Sequence, residues 1–383
     1  LQTHGTRFPY VVGAMANGIA TADMVIAAAQ AGLLGFFGAA GLRPEVVRRE
    51  IDKIKAALDQ TSFPWGSNLI HVPDDPAVEE AIVDLYLEKN VTRVSASAFM
   101  SITPSIVRYA CHGLSRDANG HILRKNYVFA KISHPYVAKL FLSPAPAQIL
   151  SQLVEQGKLT QEEAELARYV PIAEDITAES DSGGHTDNRP LGALFPSILN
   201  LKEALQAEYQ YQRPIRVGAA GGIGTPKAVA GAFAMGASYV LTGSVNEASV
   251  ESGLSQEGKQ MLAAADVADV MMAPAADMFE MGVKVQVLKR GTMFGIRGQQ
   301  LYDIYNKYAS LEELPPPVRD KLEKQIFLDS LSEIWKQTQS FFQQHNPQLL
   351  AKAESDPKLQ MALVFRWYLG KASRWAITGE QQR

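Results

Sequence analysis

The chain has 383 residues, of which 46% are hydrophobic and 20% are charged. At about 150 residues per domain this length predicts two or three domains, and one barrel of about 250 residues with an appendage fits equally well. The 37 basic and 40 acidic residues leave a formal net charge of −3. Without a basic stripe, this balance argues against nucleic acid as the main partner.

Cysteine and histidine usage narrows the class of protein further. The single cysteine, Cys111, cannot form an intramolecular disulfide, which predicts a cytoplasmic location. The seven histidines are scattered without the paired spacing of metal ligands, so no metal site is expected. Because the chain begins at Leu1 and not at a methionine, we expect it to be a piece of a longer protein.

Residues 24–42 carry no charge and approach the length of a membrane-spanning helix. Several glycines interrupt this run, and Thr21 and Asp23 at its start are typical of a helix N-terminus. The pattern therefore favours a buried helix, a turn and a buried strand, and no membrane span is predicted.

Short apolar runs alternate with amphipathic stretches over residues 1–245. Strands are predicted at 10–15, 34–39, 65–70, 91–99, 127–132, 172–179, 215–220 and 239–242. Helices are predicted at 21–31, 44–58, 74–90, 104–114, 147–155, from 160 onward, at 194–209 and at 225–235. Thr21, Pro44 and Thr160 are typical helix starts, and Thr160 forms a capping box with Glu163.

This alternation predicts an α/β fold, a TIM (β/α)8 barrel over residues 1–254. The strands are apolar throughout, as expected where both faces of a parallel sheet are covered. A doubly wound sheet has the same alternation and stays an alternative, because the pattern does not show closure. Residues 255–383 are expected to form a helical C-terminal subdomain packed on the barrel. It would have helices at 297–308, 316–345 and 356–376, after a Met-rich stretch without clear periodicity at 277–294.

Two glycine-rich turns follow the seventh and eighth predicted strands. Gly221 and Gly222 lie in the first turn, before a helix, and Gly243 and Ser244 lie in the second. Glycines let backbone N–H groups approach an anion, and these two loops often form the phosphate site of a TIM barrel. A phosphate site is therefore predicted, although glycine at either turn alone would be explained by tight packing.

The sixth strand is followed by the segment ESDSGGH, which ends in Gly183, Gly184 and His185. A histidine in a loop at the carboxyl end of a barrel strand can act as acid or base near neutral pH. The alternative is a structural histidine, which is the commoner role of a lone one.

Three further segments are expected at the same end of the barrel. A small-residue loop that would let a planar ligand lie against the backbone comprises Gly13, Ala14, Met15 and Ala16. Asn68 and Lys131 end the third and fifth strands, where a lysine can bind a cofactor anion or the electron-rich edge of a reduced flavin. Polar strand ends that face solvent are the alternative for both.

The motifs GAMANG, WGSN, FAKIS, DSGGHTDNRP, AAGGIGTP and LTGS, in this order, resemble flavin-dependent barrels of the nitronate monooxygenase and enoyl reductase superfamily. The tail motifs DVMMAPAADMFEMGVKVQVLKRGTMF and FRWYLGKASRW narrow the resemblance to the trans-acting enoyl reductases (PfaD-type) of polyketide and polyunsaturated fatty acid synthases. The resemblance covers nearly the whole chain.

The resemblance implies FMN at the barrel mouth, NADPH as hydride donor, and a trans-2-enoyl thioester on an acyl carrier protein as substrate. Other synthase components would be partners. His185 matches the active-site histidine of the superfamily. Ala14, Met15 and Ala16 would line the isoalloxazine, and Asn68 and Lys131 would contact the flavin or its ribityl chain. Gly221, Gly222, Gly243 and Ser244 would hold the phosphate. Gly13, Gly183 and Gly184 are further positions that would contact the cofactor. The first loop departs from the superfamily, which often has Pro or Gly-Gly before this methionine.

Two other functions stay open, namely a nitronate monooxygenase-like oxidase and a non-catalytic flavin-binding subunit of a synthase. The long helical tail favours the reductase, because a small nitronate needs no added substrate surface. Lys284, Lys289 and Arg290 are candidates for docking an acidic carrier protein, with a solvated charged loop as the alternative. A homodimer, the acyl chain length and the choice between NADPH and NADH are not decided by the sequence.

Overall fold

The computed structural model describes residues 1–73 and 75–380, and of His185 the backbone alone. The chain divides into two compact units. The first comprises Leu1–Ser182 and Thr186–Gly253, and the second comprises Gly183–His185 and the chain from Leu254 onward.

The first unit is built around a closed barrel of parallel strands. The strands of the chain are β1 (Tyr10–Val12), β2 (Leu34–Phe37), β3 (Trp65–Ile70), β4 (Arg93–Ser97), β5 (Ser115–Arg116), β6 (Ile122–Leu123), β7 (Tyr127–Ile132), β8 (Asp175–Glu179), β9 (Gly184–His185), β10 (Arg216–Ala220), β11 (Val240–Thr242), β12 (Val270–Pro274) and β13 (Lys284–Leu288). The barrel order is β1-β2-β3-β4-β7-β8-β10-β11. Val11 closes it by pairing with Leu34 on one side and Leu241 on the other. The predicted TIM barrel is confirmed, and the doubly wound sheet is excluded.

Helices follow the barrel strands and continue through the second unit. They are α1 (Ala22–Gln30), α2 (Pro44–Leu58), α3 (Pro76–Glu88), α4 (Pro104–Cys111), α5 (Pro135–Leu142), α6 (Ala147–Glu155), α7 (Gln161–Leu166), α8 (Leu191–Tyr209), α9 (Pro226–Ala234), α10 (Ser244–Glu247), α11 (Gln256–Ala263), α12 (Phe294–Lys307), α13 (Pro316–Lys321), α14 (Leu331–His345), α15 (Pro347–Ser355) and α16 (Pro357–Thr378). None of the described helices is long and apolar enough to cross a membrane.

Local sequence signals explain where the predicted helices begin. The Thr21 hydroxyl accepts the Met24 N–H at 3.0 Å and caps α1. Thr160 and Glu163 form the predicted capping box at α7, where the Glu163 N–H reaches Thr160 Oγ1 at 3.1 Å. Proline occupies the first turn of α2, where its fixed φ angle suits the helix.

Large side chains fill the middle of the barrel. The rings of Phe36, Phe129 and Tyr239 contact one another edge-on, with Phe129 5.2 Å from Phe36 and 5.6 Å from Tyr239. Gly218 is required here, because a Cβ at this position would lie 2.2 Å from the Tyr239 ring. The barrel is therefore a packed core, and a ligand site has to lie at one of its ends.

The second unit has its own core and differs from the sequence prediction in four places, one of which is the unpredicted helix α11. β12 and β13 form an antiparallel hairpin in the Met-rich region, for which no strand was predicted. The predicted helix at 316–345 is interrupted by a π-helical turn, Leu322–Phe327, and by Leu328, whose φ angle is +54°. Ser330 then caps α14 by accepting the Glu333 N–H at 3.2 Å, so the cap begins a new helix. The short helix α15 was not predicted.

Candidate active site

The carboxyl ends of the barrel strands bring most of the predicted site residues to one end of the first unit. All of these strands are parallel, so residues that follow them share that end. Residues at or just beyond the strand ends include Gly13, Ala14, Met15, Ala16, Asn68, Lys131, Gly221, Gly222, Gly243 and Ser244. We call this end of the barrel the rim.

The first loop of the rim is held by the end of β2. A Cβ at Gly38 would lie 1.7 Å from the Met15 carbonyl oxygen, so only glycine allows this approach. The Met15 side chain is buried with Val12, Ala20 and Met24. The loop can therefore offer a ligand the backbone of Met15 and the methyl groups of Ala14 and Ala16, of which Ala16 is exposed.

The two glycine turns have different structural reasons for their glycines. Gly221 has a φ angle of +91°, and a Cβ there would lie 2.2 Å from Ser180 Oγ, so packing requires it. A Cβ at Gly222 or Gly243 would meet no atom within 4 Å. Open space next to backbone, followed by a helix N-terminus, is the arrangement that binds a phosphate. The turns therefore fit the phosphate group predicted for them.

A cavity of about 560 Å³ lies beside the first glycine turn. Its volume is within the usual range of about 300–1,000 Å³ for small-molecule sites. It is lined by Ser180, Asp181, Arg189, Pro190, Leu191, Gly221, Gly222, Ile223, Ala228, Gly231, Ala232 and Met235.

Asn68 lies on β3 and is buried, and both hydrogens of its side-chain amide form hydrogen bonds. Its Nδ2 donates to the Ser95 carbonyl oxygen at 2.8 Å and to Ser97 Oγ at 2.9 Å. The amide oxygen is therefore the atom with which Asn68 can accept a hydrogen bond from a ligand. The hydroxyl of Ser95 is fully buried and has no hydrogen-bond partner among the described residues. Such an orphaned group below the rim is consistent with a site for a polar ligand.

Lys131 forms an ion pair with Glu179 on the neighbouring strand. Lys131 Nζ lies 2.8 Å from Glu179 Oε1, and the side chains are 16% and 12% exposed. Sequence reasoning selected Lys131 but missed its partner. The signal was available, because alternate residues of β8 face the same side and Glu179 follows the buried Asp175 and Thr177 by this period.

Ser244 begins the short helix α10, which follows the second glycine turn. Asn246 Nδ2 donates to the Thr242 carbonyl oxygen at 2.9 Å and so fixes the turn. Burial raises the pKa of Glu247, the last residue of α10, to about 7. A carboxyl that is partly protonated near neutral pH places less negative charge beside a phosphate site. Sequence reasoning did not single out Glu247.

The structure does not group Gly183, Gly184 and His185 with the rim residues. Their backbone belongs to the second unit, where Gly183 forms a parallel bridge with Gln286 of β13. Gly184 has a φ angle of +124°, which favours glycine. The His185 side chain lies outside the described residues, so its predicted role stays a prediction.

The candidate docking residues lie on or after β13. Arg290 is engaged, since its Nη1 donates to the Ala264 carbonyl oxygen at 2.8 Å and lies 3.3 Å from Asp269 Oδ2. Lys284 and Lys289 are exposed. Within residues 1–73 and 75–380, no group of three or more His, Cys, Asp or Glu residues could hold a metal ion.

Comparisons with known proteins find relatives among proteins of polyunsaturated fatty acid and polyketide biosynthesis. Residues 308–383 match the family model of the inserted helical domain of [acyl-carrier-protein] S-malonyltransferase. The chain is 49% identical to one component of the polyunsaturated fatty acid synthase of Thraustochytrium sp. over 100% of its length, and covers 26% of that protein. It is 43% identical to polyketide biosynthesis protein PksE of Bacillus subtilis over 99% of its length, and covers 49% of that protein. The chain thus spans half or less of the length of these relatives.

The solved structures similar to this chain also include a domain from a biosynthesis cluster. The enoyl reductase domain of MlnA, from the macrolactin biosynthesis cluster of Bacillus amyloliquefaciens, superposes with a TM-score of 0.95 at 38% identity. That comparison covers 100% of this chain and 85% of the other. FabK from Thermotoga maritima covers 97% of this chain at a TM-score of 0.55 and 19% identity, which shows a shared fold.

Proposed function

Because the chain belongs to the enoyl reductase family of polyketide and polyunsaturated fatty acid synthases, we propose that it is an FMN-dependent enoyl reductase. It would use NADPH to reduce the 2,3 double bond of an enoyl thioester on an acyl carrier protein. The observation that carries the proposal is the rim, where open glycine turns, the Asn68 amide and the Lys131 ammonium group lie at the same end of a closed barrel.

Each part of FMN has a matching group in the chain. The backbone at Gly222 and Gly243 would hold the phosphate, and the first loop would support the flat ring. The Asn68 oxygen would accept a hydrogen bond from the ring or the ribityl chain, and Lys131 would face the ring edge that becomes negative on reduction. These assignments use only groups with space or bonding capacity at the rim.

The reaction transfers a hydride to the β-carbon and a proton to the α-carbon of the thioester. FMN bound at the rim would supply the hydride chemistry, with NADPH as the proposed source of the hydride. The protein must orient the substrate, stabilise the negative charge on the thioester oxygen and supply the proton. We propose His185 for one of the last two roles, as proton donor or as hydrogen-bond donor to the thioester oxygen.

The carrier-protein partner is part of the same proposal. It is supported by the match of residues 308–383 to a domain of an acyl-carrier-protein transferase and by the synthase relatives. Lys284 and Lys289 are the exposed candidates for binding an acidic carrier protein, since Arg290 already pairs with Asp269. A cytoplasmic location and a homodimer stay predictions.

An NADPH consumption assay tests this function. The FMN-loaded protein is given crotonyl thioester on carrier protein in one set of samples and oxygen alone in another. Enoyl-dependent NADPH consumption is expected. Consumption that depends on oxygen alone would indicate an oxidase, and full FMN occupancy without NADPH consumption would indicate a non-catalytic subunit.

A further inference from the structure

The ion pair of Lys131 and Glu179 points to a role for the carboxylate that the proposed function does not include. We propose that Glu179 is a positioning residue that limits the positive charge Lys131 presents to a bound flavin, and so lowers the flavin's reduction potential. The inference rests on the proposed function, because it concerns the flavin bound at the rim.

The strand pattern places both side chains inside the barrel. Phe129, two residues before Lys131, packs against Phe36 in the barrel interior. The hydroxyl of Thr177, two residues before Glu179, lies 2.8 Å from the Tyr239 hydroxyl inside the same barrel. Since side chains two residues apart on a strand share a face, Lys131 and Glu179 both face inward at the rim.

The end of β8 holds Glu179 in place. The residue that follows it, Ser180, donates its N–H at 2.9 Å and its hydroxyl at 3.0 Å to the Ala220 carbonyl oxygen of β10. The backbone next to Glu179 is therefore fixed to β10, while Lys131 lies on the neighbouring strand β7. Its distance of 2.8 Å and low exposure make it a partly desolvated pair.

Stability alone is a poor reason for such a pair. Removing two charges from water costs several kcal/mol per ion, and a well-packed apolar pair is often as stable or more stable. A charged pair at the ligand end of the barrel is better explained by what it does to a ligand. Charge near a flavin ring is one of the means by which a protein tunes this cofactor.

The sign of the effect follows from the charge of reduced flavin. Uptake of a hydride, which is two electrons and one proton, gives the ring one negative charge. An unpaired Lys131 would stabilise that charge and raise the reduction potential. The Glu179 carboxylate opposes this effect, both by its own charge and by holding the ammonium group at 2.8 Å.

The test measures the midpoint potential of FMN in the wild-type protein, in Glu179→Gln and in Glu179→Asp, against a reference dye. Glu179→Gln should shift the equilibrium at least tenfold toward reduced flavin, a rise of about 30 mV for a two-electron couple. Glu179→Asp keeps the charge but weakens the pair, so a smaller rise is expected. Glu88→Gln, which removes the carboxylate of an exposed pair with Arg48, is the matched control and should leave the potential unchanged.

The outcomes separate this inference from the proposed function. Unchanged potentials in FMN-loaded Glu179 variants would overturn the inference, and a lower melting temperature without a shift would show a structural role. If Glu179→Gln does not fold, Glu179→Asp decides by the same criterion. A wild-type protein that cannot be loaded with FMN would overturn the proposed function and the inference with it.

Discussion

The two ends of the barrel use charge in different ways. At the amino end, Asp175 accepts two hydrogen bonds from Arg216, at 2.6 and 2.8 Å, and lies 3.1 Å from His4 Nε2. The neighbouring Glu174 is surrounded by arginines and is 2% exposed. At the carboxyl end, the described rim residues include the Lys131–Glu179 ion pair, the Asn68 amide oxygen, which can accept a hydrogen bond, and open space beside the glycine turns.

The difference teaches where stability and function reside in this chain. Buried polar groups that satisfy one another make a closed network, and such a network resists change. Groups at the rim have capacity left for a ligand, which is the arrangement found at the carboxyl ends of barrel strands in enzymes of this fold. Substitutions at the amino end should therefore change mainly the stability, whereas substitutions at the rim should change mainly ligand binding or turnover.

The largest expected effect is on stability at the amino end. Asp175→Asn should lower the free energy of unfolding by about 3 kcal/mol, because it leaves the charges of Arg216 under-compensated in a buried site. Urea unfolding measures this change. Asp52→Asn, which breaks an exposed pair with Lys89 in the middle of α2, should change the free energy of unfolding by less than about 1 kcal/mol. Equal effects of the two substitutions would contradict the proposed difference between network and surface pair.

A catalytic effect without a stability effect is expected for His185. His185→Ala should keep bound FMN and lower enoyl reduction at least about tenfold, the lower range of acid–base contributions. The rate with crotonyl thioester and the flavin content are measured on the same sample. Unchanged turnover at full flavin content would remove His185 from the mechanism.

Ligand binding alone should change at the second glycine turn. Gly243 has open space around it, so Gly243→Ala brings no clash within the protein. The added methyl group would occupy space proposed for the phosphate, and we expect FMN affinity to fall about fivefold, near 1 kcal/mol. Gly370→Ala in α16, also in open space, is the control. Titration with FMN measures both, and equal affinities would argue against the phosphate site.

A pH dependence of the stability is expected at the amino end. Burial lowers the pKa of His4 below 6.5, although Asp175 acts in the opposite direction. Since the folded protein takes up this proton less readily than the unfolded chain, His4 contributes stability above pH 6.5 that is lost as the pH falls. Between pH 7 and pH 5, His4 alone should lower the free energy of unfolding by at most about 1.4 kcal/mol per pH unit. His4→Gln should flatten this part of the profile, and an unchanged slope would contradict the assignment.

Local signals explain which parts of the fold were predictable. β3, β7 and α6 have the predicted bounds, because proline or glycine lies within a few residues of at least one end of each element. β13 was missed although Lys284 to Val287 alternate polar and apolar residues, which is a strand signal; β12 has no such alternation and depends on its pairing with β13. The interruption at Leu328 was missed because residues 316–345 carry a helical pattern throughout.

The sequence allowed the site residues to be chosen from their types and their positions at strand ends, but it did not show which residues pair with one another. Gly222, Asn68 and Lys131 could be chosen because parallel strands bring their carboxyl ends together. The pairing of Lys131 with Glu179 depends on the register between β7 and β8, which is set by contacts between distant parts of the chain. The same limit applies to Asn68, whose bonds to Ser95 and Ser97 follow from the pairing of β3 with β4.

The central claim is that the rim holds a flavin that reduces enoyl thioesters. Anaerobic absorption spectroscopy of the FMN-loaded protein tests it most directly, through the flavin band near about 450 nm. The account predicts that NADPH bleaches the band and that crotonyl thioester on carrier protein then restores it. Failure to bind FMN, or a reduced flavin that stays bleached in the presence of the enoyl thioester, would contradict it.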